Sequence, residues 1–165
     1  MKGKILFLLI GAIAFFSLQG VSYVEPISQA PSPVIFKADL TQGQEIPVPA
    51  PSLGVGAGVF VLNTDPATGN PQLEYAVSFT GLSAPPFAAH FHAPADCAST
   101  APVRRTICSP CTPGILYCGA WKSTDAQPLT AERVQDLLAC RVYVNVHTPL
   151  NPGGEIRGNL VRVNQ

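Results

Sequence analysis

From Val34 onward the chain alternates apolar and polar residues with a period of two, the pattern of half-buried strands. In Ile35 to Leu40, Phe36, Ala38 and Leu40 share one face. Gly54 to Leu62 continues as a strand. Its glycines, Gly54, Gly56 and Gly58, follow G-x-G-x-G spacing with no helix after them, which fits close backbone approach or a bulge rather than a phosphate loop. Asn63 to Pro71 is a turn. Leu73, Tyr75, Val77 and Phe79 then alternate with Glu74, Ala76 and Ser78, so the two runs form a hairpin. Further strands are predicted over Phe87–His92, Ile115–Ser123, Arg141–Thr148 and Glu155–Val163, with a turn at Pro149–Gly154. Val142, Val144 and Val146 lie on one face of their strand, and Tyr143, Asn145 and His147 on the other. One helix is predicted, over about 131–139. Thr130 is its N-cap, Glu132 lies in its first turn, and Leu129 and Val134 take the hydrophobic-staple positions. Together these elements predict an all-β fold, an antiparallel Greek-key β-sandwich or barrel with one short helix.

The N-terminus changes the picture. Lys2 and Lys4 precede an apolar run, Ile5 to Leu18, and small residues follow at Gly20 and Ser22. This is the layout of a secretory signal, residues 1–22, with cleavage after Ser22 and a second option after Ala30. As a helix the apolar run would reach roughly 21 Å, short of a bilayer core of about 30 Å. Cleavage leaves no transmembrane segment. Residues 23–33 read as a Pro/Ser linker, and 34–165 as one domain. Cleavage removes two lysines and no acid, leaving 8 basic and 10 acidic residues and a formal charge of −2. That balance argues against a nucleic-acid partner, because neutralising phosphates needs a basic face.

An exported chain directs its cysteines toward disulfides. The candidates are Cys97, Cys108, Cys111, Cys118 and Cys140, four of them in a Cys-rich insert, 97–118, read as a long loop stapled to itself. Five is odd, so one thiol is left over or pairs between chains. Cys108-Ser109-Pro110-Cys111 also has the spacing of a redox dithiol or half a zinc site. The nearby sequence lacks a helix pattern to lower a thiol pKa, and no second C-x-x-C follows, which favours a structural bridge.

His90, His92 and His147 are the three histidines of the chain. His90 and His92 stand at i and i+2 of one strand, so both imidazoles project to one face with Phe91 behind them. If the strand of His147 is a neighbour, the three converge as a ligand set suited to copper(II) or zinc(II). The competing reading is of histidines hydrogen-bonded near a strand end. Enzyme templates are missing: no serine lies in a G-x-S-x-G context, there is no H-E-x-x-H, and no nucleophile has an activating neighbour. Glu155 and Arg157 share a strand face and are expected to form a structural ion pair.

The order Phe36-Lys37-Ala38-Asp39-Leu40, Gln44-Glu45-Ile46-Pro47, Ala88-Ala89-His90-Phe91-His92, Tyr143-Val144-Asn145-Val146-His147-Thr148 and Gly153-Gly154-Glu155-Ile156-Arg157-Gly158 resembles the CHRD domain, named for chordin. The resemblance covers about residues 34–163. Cys140 departs from it, standing where a glycine commonly precedes the Tyr-x-Asn-x-His-Thr strand, and so does the long insert. The resemblance implies an exported domain without an assigned chemistry. A second likeness, to copper–zinc superoxide dismutase, implies His90, His92 and His147 as copper ligands and Arg157 as an anion-steering group. No fourth histidine exists to bridge to zinc, so only a copper site is compatible with it.

Two functions are therefore expected: a secreted, non-enzymatic module that binds an extracellular protein or envelope surface component, or an exported copper-binding protein. For either, mass spectrometry of the exported protein should find Tyr23 at the N-terminus; a retained residue 1 would refute the signal.

Overall fold

The computed structural model describes residues 32–163. The expected signal segment and most of the linker lie outside the described residues. The strands are β1 (Val34–Thr41), β2 (Val55–Thr64), β3 (Pro71–Thr80), β4 (Ala88–His92), β5 (Val103–Cys108), β6 (Leu116–Lys122), β7 (Tyr143–Thr148), β8 (Asn151–Asn159) and β9 (Val161–Arg162). The helix, α1, is Ala131–Leu138. All strands join one antiparallel sheet in the order β5-β4-β7-β8-β1-β2-β3-β6, with β9 beside β1, so the architecture is a nearly closed barrel. The β3→β4 and β6→β7 connections cross between distant strands and supply the Greek-key character. Among the described residues no helix is long and apolar enough to cross a membrane.

The period-two faces become the core. Phe36, Ala38 and Leu40 of β1, Leu73, Val77 and Phe79 of β3, and Val144 and Val146 of β7 all point inward and are buried. Phe91 sits among them, with ring centroids 5.7 Å from Phe60, 5.3 Å from Tyr75 and 5.4 Å from Trp121. Truncating such a residue to alanine costs about 3–5 kcal/mol. Gly58 is small because a Cβ there would lie 2.5 Å from the Phe60 ring.

Three expectations are corrected. The 97–118 insert is not one stapled loop: it supplies edge strand β5, paired to β4, and the start of β6, paired to β3. The turn expected over Pro149–Gly154 is confined to residues 149 and 150, and β8 begins at Asn151. The strand expected over Glu155–Val163 breaks at Leu160, whose amide bonds Val142 O at 2.9 Å.

Thr130 caps α1 as expected, accepting from the Arg133 amide at 3.3 Å. The helix closes through Cys140, which has a positive φ of 55°, with its amide on Leu137 O at 2.9 Å and the Arg141 amide on Asp136 O at 2.8 Å. Cys140 therefore occupies a left-handed helix cap, a conformation that favours glycine. Replacing Cys140 with glycine should raise stability by about 1 kcal/mol in urea denaturation; an unchanged or lower midpoint would mean that the thiol packs well enough to offset the strain.

A three-histidine cluster on the outer face of β4 and β7

β4 pairs antiparallel with β7 in the register Ala88↔His147, His90↔Asn145, Phe91↔Val144 and His92↔Tyr143. That register sends Phe91 and Val144 into the core and His90, His92, Asn145, His147 and Tyr143 to the other side. The outer side is covered too, and every residue of β7 is buried. The segment 93–102 folds over His92 and Tyr143, and Glu45 and Pro152–Gly153 close over Asn145 and His147.

The structure brings the three histidines together: one ring nitrogen from each lies within 4.8 Å of the others. His147 Nδ1 is 3.0 Å from Pro152 O, and His92 Nδ1 is 2.7 Å from Ala101 O. A carbonyl only accepts, so both Nδ1 atoms carry their proton and both Nε2 atoms present a lone pair. His147 Nε2 meets His90 Nδ1 at 3.0 Å. His92 Nε2 is buried and has no hydrogen-bond partner among the described residues. The His92 ring also stacks on Tyr143, centroids 4.8 Å apart with 7° between the planes.

Burial lowers all three histidine pKa values. His90 falls to about 4, first through desolvation and then through the charges of His147 and His92. His92 and His147 are also lowered by burial, although the carbonyls of Ala101 and Pro152 pull the other way. At neutral pH the cluster is therefore three uncharged imidazoles, the protonation state that binds metal ions.

The expected ion pair between Glu155 and Arg157 is not formed, because each is fully buried among other partners. Glu155 accepts from Ser52 Oγ, from Ser83 Oγ and Thr148 Oγ1 at 2.6 Å each, and from the Ser83 amide at 2.7 Å. Arg157 donates to Ser99 O at 2.8 Å, Asp96 O at 2.9 Å and Asn159 Oδ1 at 3.1 and 3.2 Å. Its guanidinium carbon lies 3.6 Å from the centre of the Tyr143 ring. Arg157 thus holds down the segment whose Ala101 carbonyl orients His92.

The family model of the CHRD domain matches residues 36–160. The chain belongs to the CHRD domain family. No curated protein and no solved structure matches it. Within this CHRD domain, Arg157 departs from the superoxide dismutase likeness: it is buried with its donors engaged, so it does not stand ready to steer an anion. Cys108 and Cys111 are joined in a disulfide. Among the described residues no second bridge is formed, and Cys97, Cys118 and Cys140 are free thiols. Cys97 Sγ accepts from Asn159 Nδ2 at 2.8 Å, Cys118 is exposed on β6 opposite Ala76, and Cys140 closes α1.

Glu45, Asn145 and the carbonyls of Ala101 and Pro152 are the parts of the site that the motif reading did not assign a role. The pattern did carry one signal, the shared face of Tyr143, Asn145 and His147; main-chain acceptors leave none.

Burial alone would raise the Glu155 pKa, but the hydroxyls of Ser52, Ser83 and Thr148 and the Ser83 amide outweigh it and hold the value at about 2 against an ordinary 4.5. A depressed folded-state pKa contributes stability that is complete above the unfolded value and lost as pH falls toward the folded one. Acid titration of stability should therefore show a decline between pH 4.5 and 2. Glu155→Gln should lower stability at neutral pH by roughly 3 kcal/mol and flatten that decline; an unaltered acid limb would remove Glu155 from this role.

Proposed function

We propose that this CHRD domain is exported and binds a transition-metal dication, copper(II) or zinc(II), through His90, His92 and His147. The observation that carries the reading is the pair of carbonyl-fixed tautomers: Ala101 O and Pro152 O each hold an Nδ1 proton and so leave Nε2 lone pairs on His92 and His147, the latter accepting from His90 Nδ1, within one cluster of imidazoles. Histidine ligands of metal ions are commonly oriented in this way by a carbonyl or carboxylate on the other ring nitrogen. Nitrogens at about 2.0–2.1 Å from one tetrahedral ion lie about 3.3–3.4 Å apart. From its 4.8 Å limit the cluster closes by about 1.4 Å to meet that spacing. Copper and zinc both suit imidazole donors, and the half-buried His90 leaves a side through which an ion can enter. The disulfide between Cys108 and Cys111 supports an oxidising compartment, in keeping with the signal-like N-terminus.

A second reading rests on a different surface. Val55 and Val59 of β2 and Leu116 of β6 are exposed on the outside of the barrel. Val59 is registered beside Ala76, and Ala76 beside Cys118. This apolar face suits a non-enzymatic module held against an extracellular protein or surface component. Val59→Lys should then release the protein from its site in the envelope while leaving metal binding unchanged; unaltered retention would count against this surface.

The metal reading is tested by calorimetric titration of the mature, untagged protein with copper(II) and zinc(II). One equivalent should bind, and His90→Ala or His147→Ala should weaken it by more than about 100-fold, since losing a ligand exceeds the usual cost of losing an outer-shell partner. Equal affinity in wild type and both variants would overturn the assignment.

A further inference from the structure

Among the described residues, two buried acceptors on this face lack a donor: His92 Nε2 and Asn145 Oδ1. Both belong to side chains that are almost wholly buried, with His92 7% and Asn145 2% exposed. Neither can satisfy the other, because His92 keeps its proton on Nδ1 for Ala101 O. The orientation of the Asn145 amide follows from its nitrogen. Nδ2 lies 3.4 Å from Glu45 Oε2 and 3.5 Å from Gly153 O, both on the β8 side. The opposite end of the amide, Oδ1, therefore turns toward β4, where His90 is its registered cross-strand neighbour.

Among the described residues no donor serves Oδ1 from the other flank. Arg157 is the β8 residue registered to Asn145, but its nitrogens are engaged by Ser99, Asp96 and Asn159. Leaving a buried acceptor unmet costs about 1–3 kcal/mol, and the same face leaves two unmet. Both acceptors call for a hydrogen-bond donor or a cation.

We infer that the carboxamide oxygen Oδ1 of Asn145 is a fourth donor of the histidine site, completing an N3O set for copper(II) or zinc(II). This rests on the reading of His90, His92 and His147 as ligands of the ion. A hard oxygen beside three imidazoles suits the dications and disfavours copper(I), which selects softer donors. Glu45 is then a positioning residue: it takes the Asn145 amide nitrogen and so aims the oxygen. Gly154 permits this, since a Cβ at that position would collide with the Glu45 carboxylate and would also come within 2.8 Å of Asn145 Nδ2.

The test is a titration of the 15N-labelled mature protein with zinc(II), followed through asparagine side-chain amide resonances assigned with Asn145→Asp. The Asn145 resonance should shift in step with zinc binding, while that of Asn63 on β2 stays in place. Bound zinc with an unmoved Asn145 resonance would overturn the fourth donor and leave a three-histidine site with water meeting Oδ1. Failure of the wild type to bind zinc or copper at all would overturn both readings. In a second measurement Asn145→Leu, which keeps the volume and removes the oxygen, should weaken copper(II) binding about 10–100-fold, and Asn145→Asp should restore it. Equal copper(II) affinity in Asn145→Leu and wild type would likewise overturn the donor.

Discussion

The antiparallel pairing of β4 with β7 is the constraint on which the rest of the site depends. Side chains of adjacent residues leave a strand on opposite faces, so one register decides two environments at once. Setting Phe91 opposite Val144 fills the barrel with apolar side chains. The same register puts His90 opposite Asn145 and His92 opposite Tyr143 on the outer side. A slip of one residue would place imidazoles among Phe60, Tyr75 and Trp121 and turn Phe91 outward. The hydrophobic core thus acts as the template for the polar cluster, and the aromatic contacts of Phe91 hold the register that the histidines need.

A sheet face that carries histidines, an asparagine and a fully buried arginine must supply hydrogen-bond partners or lose stability. Here they come from connecting segments. Arg157 draws down Asp96 and Ser99 through their carbonyls, and the same segment presents Ala101 O to His92. Glu155 gathers Ser52, Ser83 and Thr148, joining three separated stretches of chain to β8. Glu45 reaches Asn145 from the turn after β1. The loops are therefore part of the polar layer, and the two charged residues of β8 serve it separately instead of neutralising each other.

Two acceptors remain outside this accounting, His92 Nε2 and Asn145 Oδ1, beside a histidine pair that shares a single hydrogen bond. All three imidazoles are held neutral by burial. Where the rest of the layer is satisfied by protein donors, this spot alone combines uncharged imidazoles with unmet lone pairs. That asymmetry is what favours the proposed ion site over a purely structural cluster of histidines.

The alternating faces, the helix with its Thr130 cap, and the face shared by Tyr143, Asn145 and His147 were legible along the linear chain. These depend on local periodicity and on groups a few residues apart, which a linear pattern records. It also placed His90 and His92 on one side of a strand, and carried the motifs by which the chain is a CHRD domain. Folding alone set β4 beside β7, brought the sheet nearly to closure as a barrel, and drew strands from the Cys97–Cys118 stretch. Strand order depends on long-range pairing, and a strand edge carries no label for its partner. The separate roles of Glu155 and Arg157 were hidden for the same reason: shared spacing suggested a pair, while hydroxyls and carbonyls distant in sequence offered each a better-fitting partner. The carbonyls of Ala101 and Pro152 were invisible, because every residue has a main-chain oxygen and only folding chooses which ones meet a histidine.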